Sequence, residues 1–188
     1  MSVYKRFYPF LEAGGLYISE IKFDPVFEPF LFNGSSLKGM KFPQATVKNA
    51  TGKAADFLYS YSGKLIVSEK AKQFLKTSND AEYFEFIPIE FTNKKIKPYY
   101  LLTILQLVDA FDWENSSYEL FDELGPKGNK VIRDLVKMEL IDAQIKGRKL
   151  FSLLNFEGNA IVHIDFVEQM KAEGLTGILI DPLWGHSK

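Results

Sequence analysis

The hydrophobic pattern divides this chain into a turn-rich first part and a more regular remainder. Residues 1–53 set short aromatic and apolar runs between turn signals at Gly14-Gly15, Asp24-Pro25, Asn33-Gly34 and Phe42-Pro43. Leu16 and Ile18, and less regularly Ile21 and Phe23, suggest strands there. Two later segments share one pattern. In the first, an apolar run at 56–60 is followed by Gly63, a second run at 64–68 and a helical stretch at 69–76. Ala71, Phe74 and Leu75 share a face of that helix, and an apolar run at 83–88 closes on Pro88. In the second, a run at 149–153 is followed by Gly158, a run at 160–163 and a helical stretch at 165–172. Phe166, Val167 and Met170 are its apolar positions, Gly174 suits its C-terminal cap, and residues 177–182 close on Pro182.

Both segments read strand, Gly turn, strand, helix, strand, Pro. Ser68 and Asp165 can each cap their helix, because a short side-chain oxygen accepts an orphan backbone N–H. The pattern predicts an α+β fold, with mixed or antiparallel sheets, a few short helices and two similar strand–helix–strand units, 55–91 and 148–184. Residues 1–54 are expected as a strand and loop region, and 55–188 as the main domain, the two forming one compact whole. Between the units, Leu101, Leu102, Ile104, Leu105 and Val108 fit a helix or a buried strand, and Pro98 suits the start of either. A turn is expected at Gly125-Pro126-Lys127-Gly128, and residues 131–141 lean to strand.

Composition narrows the function more than the fold. At 188 residues and 46% hydrophobic content the chain is globular, of one-domain size. The absence of Cys excludes a disulfide scaffold, a thiolate metal site and a Cys nucleophile. A net charge of −1 argues against a general nucleic-acid binder. The longest apolar stretch, 101–108, falls far short of the roughly 20 residues of a membrane span. No signal-peptide pattern follows Lys5 and Arg6, so a cytoplasmic location without membrane association is expected.

Catalytic and cofactor motifs are weak. His163 and His186 are the only His residues and lie 23 apart; His163 reads as a packed, hydrogen-bonded residue and His186 as solvated. Gly34-Ser35-Ser36-Leu37-Lys38-Gly39 begins like a phosphate loop. However, Met40 and Lys41 stand where the Lys and the Ser/Thr must be. There is no Gly-x-Ser-x-Gly elbow. No metal and no cofactor are therefore expected. Asp109, Asp112 and Glu114 form the one carboxylate group that a small hydrolase could use, although such acids usually mark a solvated face.

Charge patterning is more informative. Residues 99–126 contain no Lys or Arg but carry Asp109, Asp112, Glu114, Glu119, Asp122 and Glu123, interleaved with Phe111, Trp113, Tyr118 and Phe121. Lys127, Lys130, Arg133 and Lys137 then reverse the sign, and Lys38, Lys41, Lys48 and Lys53 form another basic block. Two readings stand. The aromatics can face the core with the acids in water. Alternatively, the segment is a partner-binding face, with aromatic anchors and carboxylates that steer a basic protein. Asp109, Asp112, Trp113, Glu114, Tyr118, Asp122 and Glu123 are the candidates for that face.

Three stretches resemble a bacterial immunity protein family of polymorphic toxin systems, immunity family eleven. The first is Leu65-Ile66-Val67-Ser68-Glu69-Lys70 with Phe74-Leu75 and Phe84-Glu85-Phe86-Ile87-Pro88. The second is Tyr99-Tyr100-Leu101-Leu102 with Val108-Asp109-Ala110-Phe111-Asp112 and Ser116. The third is Leu150-Phe151, Ile161-Val162 and Gly174-Leu175-Thr176-Gly177 with Pro182. The resemblance covers residues 55–184. His163 stands where the Ser of Val67-Ser68-Glu69 would recur, and Thr103 where Asn is expected, so no polar role is carried over to either. The resemblance implies a non-enzymatic protein that binds and neutralises a cognate toxin. The alternatives are a small carboxylate-dependent hydrolase and a general protein-interaction domain.

Overall fold

The computed structural model describes residues 3–28, 33–124 and 128–181. The turn expected around Pro126, the closing Pro182 and His186 lie outside them. The fold is α+β: short helices among many strands, in four sheets.

The chain opens with β1 (Tyr4–Pro9), β2 (Tyr17–Lys22) and β3 (Gln44–Lys48). It continues through β4 (Phe57–Leu58), β5 (Ile66–Ser68), α1 (Glu69–Lys76), β6 (Phe84–Pro88) and β7 (Glu90–Phe91). The middle holds β8 (Tyr99–Ile104), β9 (Leu107–Val108), β10 (Ser117–Leu120) and β11 (Ile132–Lys137). The last part is α2 (Asp142–Ile145), β12 (Leu150–Leu153), β13 (Phe156–His163), α3 (Ile164–Ala172) and β14 (Ile178–Ile180).

Two sheets carry the architecture. One has the order β4-β5-β8-β6, the other β14-β1-β13-β12-β9. In the first, β5 leads through α1 to β6, and β8 lies between them, antiparallel to both. In the second, β13 leads through α3 to β14, and β1 lies between them, again antiparallel to both. Each crossover is preceded by an antiparallel pair, β4 with β5 and β12 with β13. The inserted strand follows the first crossover in sequence and precedes the second by more than 150 residues.

Three apolar cores stack through the molecule. The central one joins Ala71 and Leu75 of α1, Phe166, Val167 and Met170 of α3, and inward side chains of both large sheets such as Phe7, Phe57, Val67, Leu102 and Val162. A second lies on the outer face of the four-stranded sheet, where Ile66, Leu101 and Ile87 meet Leu16, Ile18 and Ala45. Strands β2, β3 and β7 form the small sheet over it. The third lies on the outer face of the five-stranded sheet, where Phe151, Leu153 and Ile161 meet Ile132, Leu135 and Met138. The ribbon β10–β11 and the buried Ile145 of α2 cover it.

Strands sandwiched in this way cannot alternate apolar with polar. Leu101, Leu102, Thr103 and Ile104 are all buried, as are Ala160, Ile161 and Val162. The 101–108 stretch, open between helix and strand on periodicity, is strand: β8, then β9.

Both major helices are capped as their sequences allow. Ser68 Oγ accepts from Ala71 N at 3.1 Å, with Glu69 in the first turn and Lys76 in the last, matching the helix dipole. In α3 the expected Asp165 cap is replaced by His163, whose Nδ1 accepts from Asp165 N at 3.1 Å. Asp165 is already inside the helix, in its first turn, where its charge suits the dipole but its side chain is past the capping position. His163 thus takes the polar role that the missing Ser was expected to leave vacant. The C-terminus of α3 closes on Gly174 at φ +66°. Gly174 N donates to Lys171 O and Leu175 N to Met170 O, pairing two orphan carbonyls.

One further turn differs from expectation. Gly63, at φ +68°, lies in the connection before β5, but Gly158 lies inside β13. The β12–β13 connection is Leu154-Asn155 instead, since Leu153 already pairs with Phe156.

Candidate functional site

The acidic–aromatic segment forms the outermost layer of the molecule. After β9 the chain is clamped to the segment that returns from β11, where Phe111 and Leu140 form an isolated antiparallel bridge. Asp112 N donates to Glu139 O at 3.0 Å, Ile141 N to Ala110 O at 2.8 Å, and Glu139 N to Ser116 Oγ at 3.0 Å. This holds residues 109–116 beside the β10–β11 ribbon, where Tyr118 pairs with Leu135 and Leu120 with Ile132.

The candidate residues separate into three kinds. Trp113 and Tyr118 are half-buried and packed against the third core. With the buried Phe111 they form an edge-to-face trio, with centroids 4.7, 5.5 and 5.1 Å apart. Lys130 Nζ lies 5.6 Å from the Trp113 ring centroid. Asp112 is committed to its own loop. Its Oδ1 accepts from Glu114 N and Asn115 N, both at 3.1 Å, and its Oδ2 from Asn115 Nδ2 at 2.8 Å. The Asn115 amide is the main cause holding its carboxyl below the ordinary value. This favours the ionised form, the opposite of what a general acid needs. Asp109, Glu114, Asp122 and Glu123 are exposed, at the water-facing edges of the same layer.

Three apolar side chains in this layer were not among the candidates. Phe121, Leu124 and Val136 are 53%, 67% and 69% exposed. Phe121 could have been found by parity: Tyr118 and Leu120 face the core, so the residue after Leu120 faces out. Leu124 carries no such signal. Around them Glu119 pairs with Arg133, and Lys137 Nζ lies 3.2 Å from Glu139 Oε1. Of the basic residues that follow the acidic block in sequence, Arg133 thus neutralises one of its carboxylates, Glu119. Asp122 and Glu123, both exposed, lie in sequence between the exposed Phe121 and Leu124.

Among the described residues no group of three or more His, Asp or Glu side chains could hold a metal ion. His163 serves as a helix cap, its ring 4.9 Å from Tyr4. No helix of the described residues is long and apolar enough to cross a membrane.

The chain belongs to the immunity protein family Imm11, whose family model matches residues 26–182. No curated protein matches it. The match spans both large sheets except for β1, and all of the acidic layer.

Proposed function

We propose that this protein neutralises a cognate bacterial toxin domain by direct protein–protein contact in the cytoplasm, without catalysis. The family membership carries the reading. The acidic layer is the surface that meets the toxin: Phe121, Leu124 and Val136 supply desolvated contact area, while Asp109, Glu114, Asp122 and Glu123 steer a basic partner. Trp113 and Tyr118 act from beneath, holding the layer in shape, and Asp112 fixes the loop that carries Glu114. The units 55–91 and 148–184, together with strands from 1–54, serve as one scaffold for that surface.

The test is co-expression with the toxin domain encoded beside this protein. A complex that survives purification, with restored growth, is the expected result. Phe121→Ser combined with Asp122→Lys and Glu123→Lys should weaken the complex by roughly a thousandfold, the scale of two lost hot-spot interactions of about 2 kcal/mol each. If wild-type protein neither binds nor protects, the reading fails. If the triple variant binds as wild type, the surface is elsewhere.

A further inference from the structure

A cleft of about 600 Å³ opens between the four-stranded and five-stranded sheets, and no residue of the acidic layer lines it. That size is within the roughly 300–1,000 Å³ of small-molecule sites. Its floor is the central core coming to the surface, since Phe7, Leu65, Leu102 and Ala160 belong to both. Its rim is aromatic, with Tyr8, Phe10, Tyr59 and Tyr61. Phe10 and Tyr61 are 46% and 65% exposed, so ring surface stands in water beside a concave apolar floor.

The shape is set without a ligand. Ile18 N donates to Tyr59 O at 2.9 Å and Tyr61 N to Ile18 O at 3.3 Å, which stitches the rim to β2. The Tyr61 ring is edge-on to Tyr17 and Tyr59, with centroids 5.4 and 5.8 Å away. In the floor, Phe7 is edge-on to Phe57 at 5.0 Å. Asn33 ties the two sheets together beside the opening. Its Oδ1 accepts from Ile104 N at 3.0 Å, and its Nδ2 donates to Ser152 Oγ at 2.6 Å and to Glu157 O at 3.0 Å on the facing sheet. A cleft ordered in advance does not spend binding energy on ordering itself.

The lining also selects the charge of an occupant. Its charged side chains among the described residues are Arg6, Lys64 and Glu157, and each is already engaged in an interaction of its own. The Arg6 guanidinium, for one, lies 4.9 Å from the Tyr8 ring centroid and 5.9 Å from that of Phe156. A charged ligand would lose hydration against the apolar floor and compete for groups that have partners. An uncharged ring carries neither cost, and it can pack edge-to-face or offset against the rim at the separations aromatic pairs prefer.

We propose that this cleft binds a small uncharged aromatic molecule, packed on Phe7, Leu65 and Leu102 and against the Tyr61 ring. The site is independent of the toxin-facing surface, so either reading can fail without the other.

The experiment titrates the full chain, without toxin, with the uncharged fluorescent probe N-phenyl-1-naphthylamine. Four compounds of matched size then compete: 2-naphthol, its saturated analogue decahydro-2-naphthol, the anion 2-naphthoate and the cation 2-naphthylmethylammonium. Saturable binding displaced best by 2-naphthol is the expected result. Tyr61→Ser should weaken 2-naphthol roughly threefold to tenfold, the scale of one aromatic pair, and narrow its lead over the saturated analogue. Gly158→Phe should abolish binding, since a Cβ at this cleft-lining glycine meets open space and the added ring would fill the cleft. Thermal unfolding checks that each variant is folded, and Tyr61→Ser, at a side chain mostly in water, decides alone if Gly158→Phe is not. Four results would each overturn the proposal: absence of saturable binding, displacement by the saturated or either charged analogue as good as by 2-naphthol, wild-type 2-naphthol affinity in Tyr61→Ser, or wild-type affinity in a folded Gly158→Phe.

Discussion

The two crossover units follow the same path and differ in where their middle strand comes from. In β4–β5–α1–β6 the strand inserted between β5 and β6 is β8, which follows β6 closely in sequence. In β12–β13–α3–β14 the strand inserted between β13 and β14 is β1, from the other end of the chain. The first sheet can assemble largely from neighbours in sequence. The second must close a loop of more than 150 residues before Tyr4–Pro9 can pair with β13. The capping residues differ as well. A hydroxyl caps α1 at any ordinary pH, whereas an imidazole caps α3 only while Nδ1 is unprotonated.

The units share several polar contacts: Lys149 N and Leu150 N donate to Asp80 Oδ2 at 2.7 and 3.2 Å, Lys70 Nζ donates to Gly174 O at 2.8 Å, and Asp56 forms a third junction. Asp56 Oδ1 accepts from Ser68 Oγ at 2.6 Å, and Asp56 Oδ2 from Thr176 N and Thr176 Oγ1, both at 3.1 Å. Phe57 N donates to Thr176 O at 3.0 Å. Beside them Gly177, at φ +79°, passes so close to β4 that a Cβ would collide with the Phe57 carbonyl. Tyr99, whose hydroxyl donates to Ala55 O at 2.7 Å, has its pKa pushed up to about 12, by burial and then by Asp56.

Removing β1 should do most to separate the units. Without residues 1–9, β13 and β14 lose their shared partner and the central core loses Phe7, which is 2% exposed. The expected outcome is loss of cooperative urea unfolding. A deletion variant that keeps a sharp transition would show that the second unit stands without its distant strand. Next, Asp56→Ala should cost about 3 kcal/mol by orphaning donors from both units, measured by urea denaturation. A loss confined to a few tenths would mean that the Asp56 contacts do not hold the units together.

The caps compare directly. Ser68→Ala should cost about 2 kcal/mol and His163→Ala about 1, because Ser68 also donates to Asp56 while the His163 side chain's hydrogen bond stays within its own helix. Equal losses would remove the distinction. The smallest effect is that of pH. Burial, then Lys149, lowers the His163 pKa from its ordinary value of 6.5. The folded state therefore favours the neutral ring, and the unfolded chain takes up the proton first. Stability from this group is fully present above pH 6.5 and declines as pH falls through the folded value. Melting curves between pH 8 and pH 5 should show that decline in wild type and a smaller one in His163→Ser, which keeps a cap at every pH. Parallel curves would exclude the imidazole as the cause.

Periodicity and capping chemistry determined the local elements. Ala71, Phe74 and Leu75 mark the face of α1, Ser68 its start, and Gly174 the end of α3, because these signals depend on 3.6-residue spacing and on the backbone groups a helix leaves unpaired. The strand–helix–strand order of both units was legible for the same reason. The acidic–aromatic segment was visible in sequence too, since charge patterning needs no fold.

What only the tertiary structure decided is how faces are shared. Residues 101–104 looked the same as helix or strand because β8 is covered on both sides, which erases alternation. His163 was not legible as a cap, because an imidazole does so only when burial keeps it neutral and the turn places Nδ1 on Asp165 N. In the acidic layer, parity along β10 separates Tyr118 from Phe121, but nothing in the sequence separates Trp113, which packs inward, from Leu124, which does not. That division follows from the β10–β11 register and from the third core lying beneath it, and pairing between strands is a property of the folded chain rather than of either strand alone.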